Sequence, residues 1–153
     1  MFPLFPEKSY WKESLLVIEM RINGKPVVEG KASGEILFSP EPITFFGGVD
    51  PSSGKIVERG HPLYSQIIAG KILVFPHSKG STVGSYILLR LARKGLAPAG
   101  IVSLRPDEVT IVGAIIGKIP MMTYVDINRD SLPLNGKRGF LEVSSSGAYL
   151  DVF

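Results

Sequence analysis

The architecture of this chain is set by one strand–turn–helix passage. Residues 72–75, Ile-Leu-Val-Phe, are a compact β-branched and aromatic run bounded by Gly70-Lys71 and Pro76, as expected of a central strand. A turn dense in glycine and hydroxyls follows, Ser78-Lys79-Gly80-Ser81-Thr82. Residues 81–94 then read as an amphipathic helix. Val83, Ile87, Leu88 and Leu91 recur at helical spacing and form one apolar stripe. Arg90, Arg93 and Lys94 fill the last turn, where the helix dipole favours cations, and Gly95 stops it. The first turn carries no acidic side chain, so its amides and positive dipole are not neutralised from within.

The rest of the chain reads mostly as short strands. Residues 14–22 form an apolar strand, and Asn23-Gly24 supplies the positive φ of a tight hairpin turn. A second strand at 26–28 pairs with it, confined by Pro26 to an edge or a strand start. Further strands are expected at 32–38, 43–46, 56–57, 99–104, 121–125, 140–143 and 149–153. Residues 106–117 begin with Pro-Asp-Glu, good first-turn chemistry for a short helix, although Val109, Thr110, Ile111 and Val112 favour a strand. The pattern is a single β-rich domain over 14–153, α/β or α+β in class, without internal repeats or a linker. Residues 1–13 form an arm rich in aromatic residues and proline. The arm reads either as a strap closing one end of the core or as a docking segment.

Composition then excludes several kinds of chemistry. The 153 residues make one domain, and 44% hydrophobic with 20% charged residues rules out disorder and coiled coil. There is no cysteine. That removes a disulfide framework, a thiol nucleophile, a thiolate zinc site and an iron–sulfur cluster ligated by this chain's own cysteines. The only histidines are His61 and His77, too few for an all-protein zinc site. Seventeen basic against fourteen acidic residues give a net charge of +3. The basic residues are scattered, so no nucleic-acid groove is indicated, whereas a small anionic substrate fits. The best apolar run, residues 110–117, is too short for a membrane span, and the first residues lack a signal peptide's apolar stretch. A cytoplasmic location is therefore expected, without membrane association. A mean hydropathy of +0.22 suggests apolar surface reserved for a partner.

Residues 78–85 carry the most chemical information. A strand ends, glycine lets the backbone approach closely, hydroxyls line the turn, and a helix begins. That design offers amides, a dipole and Lys79 to an oxyanion. It is not a Walker loop, because no Lys-Ser/Thr follows the second glycine, nor a nucleophile elbow, because Ser81 lacks the Gly-x-Ser-x-Gly frame. Ser81 alternatively only caps the helix. A second cluster is Asp50, in the Gly47-Gly48-Val49-Asp50 loop, with His61 further on. A Ser81–His61–Asp50 triad can be written on paper. The plainer reading makes Asp50 a turn former before Pro51 and His61 a hydrogen-bonded loop residue before Pro62.

A set of motifs in order carries a family resemblance. Gly47-Gly48-Val49-Asp50-Pro51 with Gly54, His61-Pro62, Lys79-Gly80-Ser81-Thr82-Val83-Gly84-Ser85-Tyr86 and Ala97-Pro98-Ala99-Gly100-Ile101-Val102 resemble the small subunit of the aconitase X family, as do Gly113-Ala114-Ile115 and Ile119-Pro120. The resemblance covers roughly residues 14–143 and leaves the aromatic arm without a role. It implies a swivelling β/β/α domain like the small domain of aconitase. It also implies a heterodimer with a large subunit that holds a four-iron four-sulfur (4Fe-4S) cluster, none being bound by this chain. In the family, the serine after the Lys/Arg-Gly pair is the catalytic base, a position held here by Ser81. Thr82-Val83-Gly84 after it favours the branch that dehydrates (R)-5-phosphomevalonate to trans-anhydromevalonate 5-phosphate, a step of isoprenoid (mevalonate-pathway) biosynthesis. Lys79, Gly80, Thr82, Gly48, Asp50 and His61 are then expected to bind or position the phosphorylated substrate. Asp50 and Gly48 alternatively only shape their loop. Because swivelling β/β/α domains elsewhere carry phosphohistidine, His77 beside the helix start supports a non-catalytic phosphoryl-carrier or ligand-binding domain as the alternative.

A serine hydroxyl is a poor base at neutral pH and must be held as an alkoxide to act. A helix N-terminus contributes about 1–2 kcal/mol, roughly one pKa unit, which is too little alone. Lys79, backbone amides and cationic groups from a partner must supply the remainder in a site poor in water. The isolated chain is accordingly expected to be inactive, with an unexceptional Ser81.

Overall fold

A computed structural model describes residues 17–127 and 133–153. The aromatic arm, and the first residues of the strand expected at 14–22, lie outside these. Among the described residues, nine strands and two helices follow one another: β1 (Met20–Val28), β2 (Gly30–Phe38), β3 (Ile43–Thr44), β4 (Ile72–Phe75), β5 (Ser78–Lys79), α1 (Gly84–Arg93), β6 (Gly100–Ser103), α2 (Glu108–Gly117), β7 (Met121–Thr123), β8 (Arg138–Ser144) and β9 (Gly147–Val152).

Seven strands close into a barrel in the order β1-β7-β6-β4-β2-β8-β9, while β3 and β5 pair as a separate small parallel sheet. Within the barrel, β2, β4, β6 and β7 run parallel, and β8, β9 and β1 pair antiparallel with their neighbours. Parallel neighbours need crossover connections, and α1 and α2 occupy the crossovers from β4 to β6 and from β6 to β7. Side chains alternate between two cores. Ile36, Ile72, Val74, Val102, Met122, Leu141 and Leu150 fill the barrel. Leu37, Leu73, Phe75, Ile101 and Met121 point outward against Leu88 and Leu91 of α1 and Val109 and Ala114 of α2. Phe75 meets Phe45 edge-on at 6.0 Å between ring centroids, fastening the 42–69 connection to that outer core.

The expected strand–turn–helix passage is present, but the helix begins at Gly84 rather than Ser81. Residues 81–86 wind first through i to i−3 bonds, Gly84 N–H to Ser81 O (3.0 Å) and Tyr86 N–H to Val83 O (2.9 Å). In residues 106–117 the helix wins over the β-branched residues. Asp107 caps it, and Gly113 and Gly117 let α1 approach, since Cβ atoms there would lie 3.0 Å from Leu88 Cβ and 3.4 Å from Ala92 Cβ. These contacts, with Gly84 against Val109, set the two helices side by side and parallel. Both amino ends therefore open at the carboxyl edge of the parallel strands, where ligands bind in open α/β sheets.

The hairpin expected at Asn23-Gly24 is corrected. β1 runs straight through these residues, leaving β9 at Gly24 and taking up β7 from Lys25. The glycine serves close approach instead: a Cβ would sit 2.9 Å from Met122 Sδ, Thr123 O and Val125 Cγ1. Pro26 is tolerated because its half of β1 is paired only with β7. Ile56 forms an isolated bridge with Val49 rather than a strand. Among the described residues no helix is long and apolar enough to cross a membrane.

Candidate functional site

The site is built where β5 leaves its partner β3. Ile43 pairs with Ser78 and Thr44 with Lys79. Gly80, at φ +94°, then turns the chain abruptly, and its bare α-carbon lies against Thr44, where a Cβ would come within 2.9 Å of Thr44 Cγ2. Gly48 approaches the same residue from the other side, and a Cβ there would overlap the Thr44 carbonyl oxygen. The Thr44 backbone thus forces glycine at position 48, and the positive φ forces it at position 80. Lys79, Gly80, Ser81 and Thr82 are exposed and consecutive in front of α1, with Gly48 gathered beside them. The Ser81 hydroxyl accepts a 3.1 Å bond from the Val83 amide. Lys79 Nζ stands 3.4 Å from Glu58 Oε2.

The amino end of α1 lacks an acidic cap; its first amides, those of Val83 to Tyr86, donate to Ser81, Thr82 and Val83. Val83 occupies the cap position without a side-chain bond, and the first turn holds no acid. At the neighbouring amino end of α2 the cap carboxylate is saturated. Asp107 Oδ1 accepts from the Thr110 amide (2.8 Å) and the Ser78 hydroxyl, and Oδ2 accepts from the Ser78 amide (2.8 Å) and the Thr110 hydroxyl (2.9 Å). Burial pushes the Asp107 carboxyl up, but these four donors outweigh it and hold the group below the ordinary carboxylate range.

Asp50 and His61 are spent on their own loop. Asp50 accepts from the Ser52 amide (2.9 Å) and the Ser53 hydroxyl (3.0 Å), and these bonds hold its carboxyl below the usual range. His61 is buried, at 6% exposure. Its Nδ1 accepts from the Leu63 amide (3.0 Å), which leaves the proton on Nε2 to donate to the Pro42 carbonyl (2.9 Å). The hydrogen bonds of Ser81, His61 and Asp50 all go elsewhere, so these residues do not form a catalytic relay in this arrangement. Their loop reaches the site through the Val57 amide, which donates to Gly48 O at 2.8 Å. His77, between β4 and β5, donates from Nδ1 to the Ser78 carbonyl at 2.7 Å.

Exposed apolar residues lie on the elements next to the serine and form an apolar rim. Phe46, Val57, Val83 and Tyr86 all face solvent, Tyr86 at 66%. The Phe46 amide packs against Gly84, and Val83 and Tyr86 are one turn apart on α1. Neither the rim nor the Asp107–Ser78 tie was foreseen. Pro106-Asp107-Glu108 signals a cap, but nothing in the sequence pairs it with a serine 29 positions earlier. As for metal, the chain has no cysteine, and among the described residues no three His, Asp or Glu side chains gather as a ligand set. The side chains of this site do not fit an iron–sulfur cluster.

Residues 21–143 match the aconitase X swivel domain. The chain is 40% identical over 134 residues to the phosphomevalonate dehydratase small subunit of Methanosarcina acetivorans, covering 83% of this chain and 93% of that protein. It is 40% identical over 132 residues to the protein of the same name from Pyrococcus furiosus, covering 84% and 98%. The crystal structure of Thermococcus kodakaraensis aconitase X (holo-form) superposes with a TM-score of 0.80 at 36% identity, over 88% of this chain and 98% of that one. The swivelling mixed α/β fold expected from the sequence is thus present, and this chain belongs to the aconitase X family through its swivel domain.

Proposed function

We propose that this chain is the small subunit of a two-subunit hydro-lyase that converts (R)-5-phosphomevalonate to trans-anhydromevalonate 5-phosphate and water. The observation that carries the reading is an exposed Ser81 just ahead of a helix with no acid in its first turn, beside the exposed apolar Val83 and Tyr86. Similarity to the dehydratase small subunits supports it. Ser81 Oγ takes the proton from the carbon beside the carboxylate. The electron pair left there forms the double bond to the neighbouring carbon, whose hydroxyl departs. Removing so weakly acidic a proton needs the serine as alkoxide, stabilised by the Val83 amide that already donates to Ser81 Oγ, by the dipole of α1 and by Lys79 in a site closed to water. The isolated chain leaves Ser81 open to solvent, so the rim is the surface against which a large subunit closes. The 4Fe-4S cluster and the departure of hydroxide belong to that subunit. Gly80 and Thr82 present backbone amides to the substrate, the buried Gly48 lets its loop pack on Thr44 beside them, and Asp50 and His61 act by shaping the loop that follows Gly48.

The chain co-expressed with a cluster-bearing large subunit is expected to dehydrate phosphomevalonate, and each chain alone to be inactive. Ser81→Ala is expected to lower kcat by about 10²–10⁴-fold, the usual range for a positioned acid or base. Full activity in that variant would remove the base from Ser81, and turnover by this chain alone would end the two-subunit reading.

A further inference from the structure

We propose that Asp107 is a positioning residue for Ser81, acting through Ser78, as well as the cap of α2. The inference rests on the dehydratase reading for its catalytic consequence. β5 is only two residues long, and its ladder partner β3 is equally short, too little to fix a loop by itself. The Asp107 carboxylate divides its bonding evenly: each oxygen takes one donor from Ser78 and one from Thr110. One group therefore sets both the start of α2 and the end of β5. Ser78 is buried, at 6% exposure, three positions before Ser81. Between them lie Lys79, paired with Thr44, and the sharp turn at Gly80. The path from Asp107 to the base is thus short and stiff, and a base displaced by about 1 Å loses rate on the order of a hundredfold. The four donors also occupy the lone-pair sites of the carboxylate, so it is spent on α2 and β5 and puts no acid at the amino end of α1.

Two variants each remove one hydroxyl from the same carboxylate. Ser78→Ala loosens the β5 side and Thr110→Val the α2 side. In the complex with the large subunit, Ser78→Ala is expected to lower kcat about tenfold with KM within twofold. Thr110→Val is expected to lower Tm while leaving kcat within twofold. In the isolated chain, amide hydrogen exchange of Val83 and Gly84, which donate to Ser81, is expected to rise about tenfold in Ser78→Ala and to stay unchanged in Thr110→Val. An Asp107 that is only a cap gives the opposite result: unchanged kcat in Ser78→Ala and unchanged exchange at Val83 and Gly84. If the wild-type complex does not dehydrate phosphomevalonate, the functional reading fails on its own. The exchange measurement then still decides whether Asp107 holds the segment that carries Ser81.

Discussion

At the amino end of α2, Asp107 fastens Ser78 and Thr110 with four bonds, and Glu108 adds a second acid to the first turn. At the amino end of α1, a short distance away, Val83 stands in the cap position and no acid follows. Both ends belong to crossover helices of one parallel sheet and face its carboxyl edge. Ordinary stability favours the first design, since a cap side chain contributes about 1 kcal/mol and an acid near the dipole a few tenths more. The second design forgoes that stabilisation: its first amides are closed only by the Ser81 hydroxyl and by backbone carbonyls, and its dipole meets no acid. Two adjacent and otherwise similar helix ends thus differ in whether an acid finishes them.

The largest expected effect tests the finished end. Asp107→Ala removes the cap and strands the buried Ser78 amide and hydroxyl, so urea unfolding is expected to show a loss of about 2–4 kcal/mol. Ser81→Ala removes one exposed bond and is expected to change stability by less than about 1 kcal/mol. Equal losses would abolish the contrast. A pH series sharpens it. The folded-state pKa of Asp107 is depressed by its donors against the opposing effect of burial. Its contribution is therefore present above the unfolded carboxylate pKa of about 3.9 and lost as pH falls through the lower folded value. The stability gap between wild type and Asp107→Asn should shrink below about pH 4. A gap that stays constant from pH 7 to pH 2 would show that the charge is not what holds the junction.

The open end was legible in the sequence, and much of the finished one was not. Residues 72–95 announce strand, glycine turn and amphipathic helix through local signals that the fold retains: an apolar run, helical spacing, a terminating Gly95 at φ +73°. The hydroxyl turn and the missing acids could be read directly, as could the ordered motifs of the aconitase X family. Long-range partners were invisible. Asn23-Gly24 has the local chemistry of a turn, yet β9 and β7 take it into one continuous strand. β5 is too short to leave a periodic trace, and it exists because β3 and Asp107 hold it. In α2, β-branched residues lose their preference because two glycines let α1 pack closely and a cap starts the helix. The plainer reading of His61, a hydrogen-bonded loop residue before Pro62, matches its ring nitrogens on the Leu63 amide and the Pro42 carbonyl, partners the sequence does not name.

A smaller effect is expected from making the open end resemble its neighbour. Val83→Asp places an acid at the first turn of α1 on an exposed position. Val83 has helical dihedrals, φ −60° and ψ −19°, rather than the extended ones of an ideal cap. The gain therefore comes from the dipole alone, about 0.3–1 kcal/mol of added stability. The same charge repels an anionic substrate, so activity of the complex is expected to fall about tenfold, chiefly through KM. A variant that is both more stable and fully active would mean that the acid-free helix end has no part in binding.

The smallest effect concerns the ion pair at the mouth of the site. Lys79 and Glu58 are 3.4 Å apart with side chains half and one-third exposed, so Glu58→Gln should alter stability by less than about 0.5 kcal/mol. Its consequence for binding is more informative. An anion arriving at the end of α1 must share Lys79 with Glu58 or displace it. Without the carboxylate, KM for phosphomevalonate in the complex is expected to fall about twofold at low salt. The difference should fade as salt is raised, because exposed charges are screened over about 10 Å at 0.1 M. A rise in KM would reverse the assignment: Glu58 would then hold Lys79 in place for the substrate, and the mouth of the site would be preorganised like the Asp107 junction behind it.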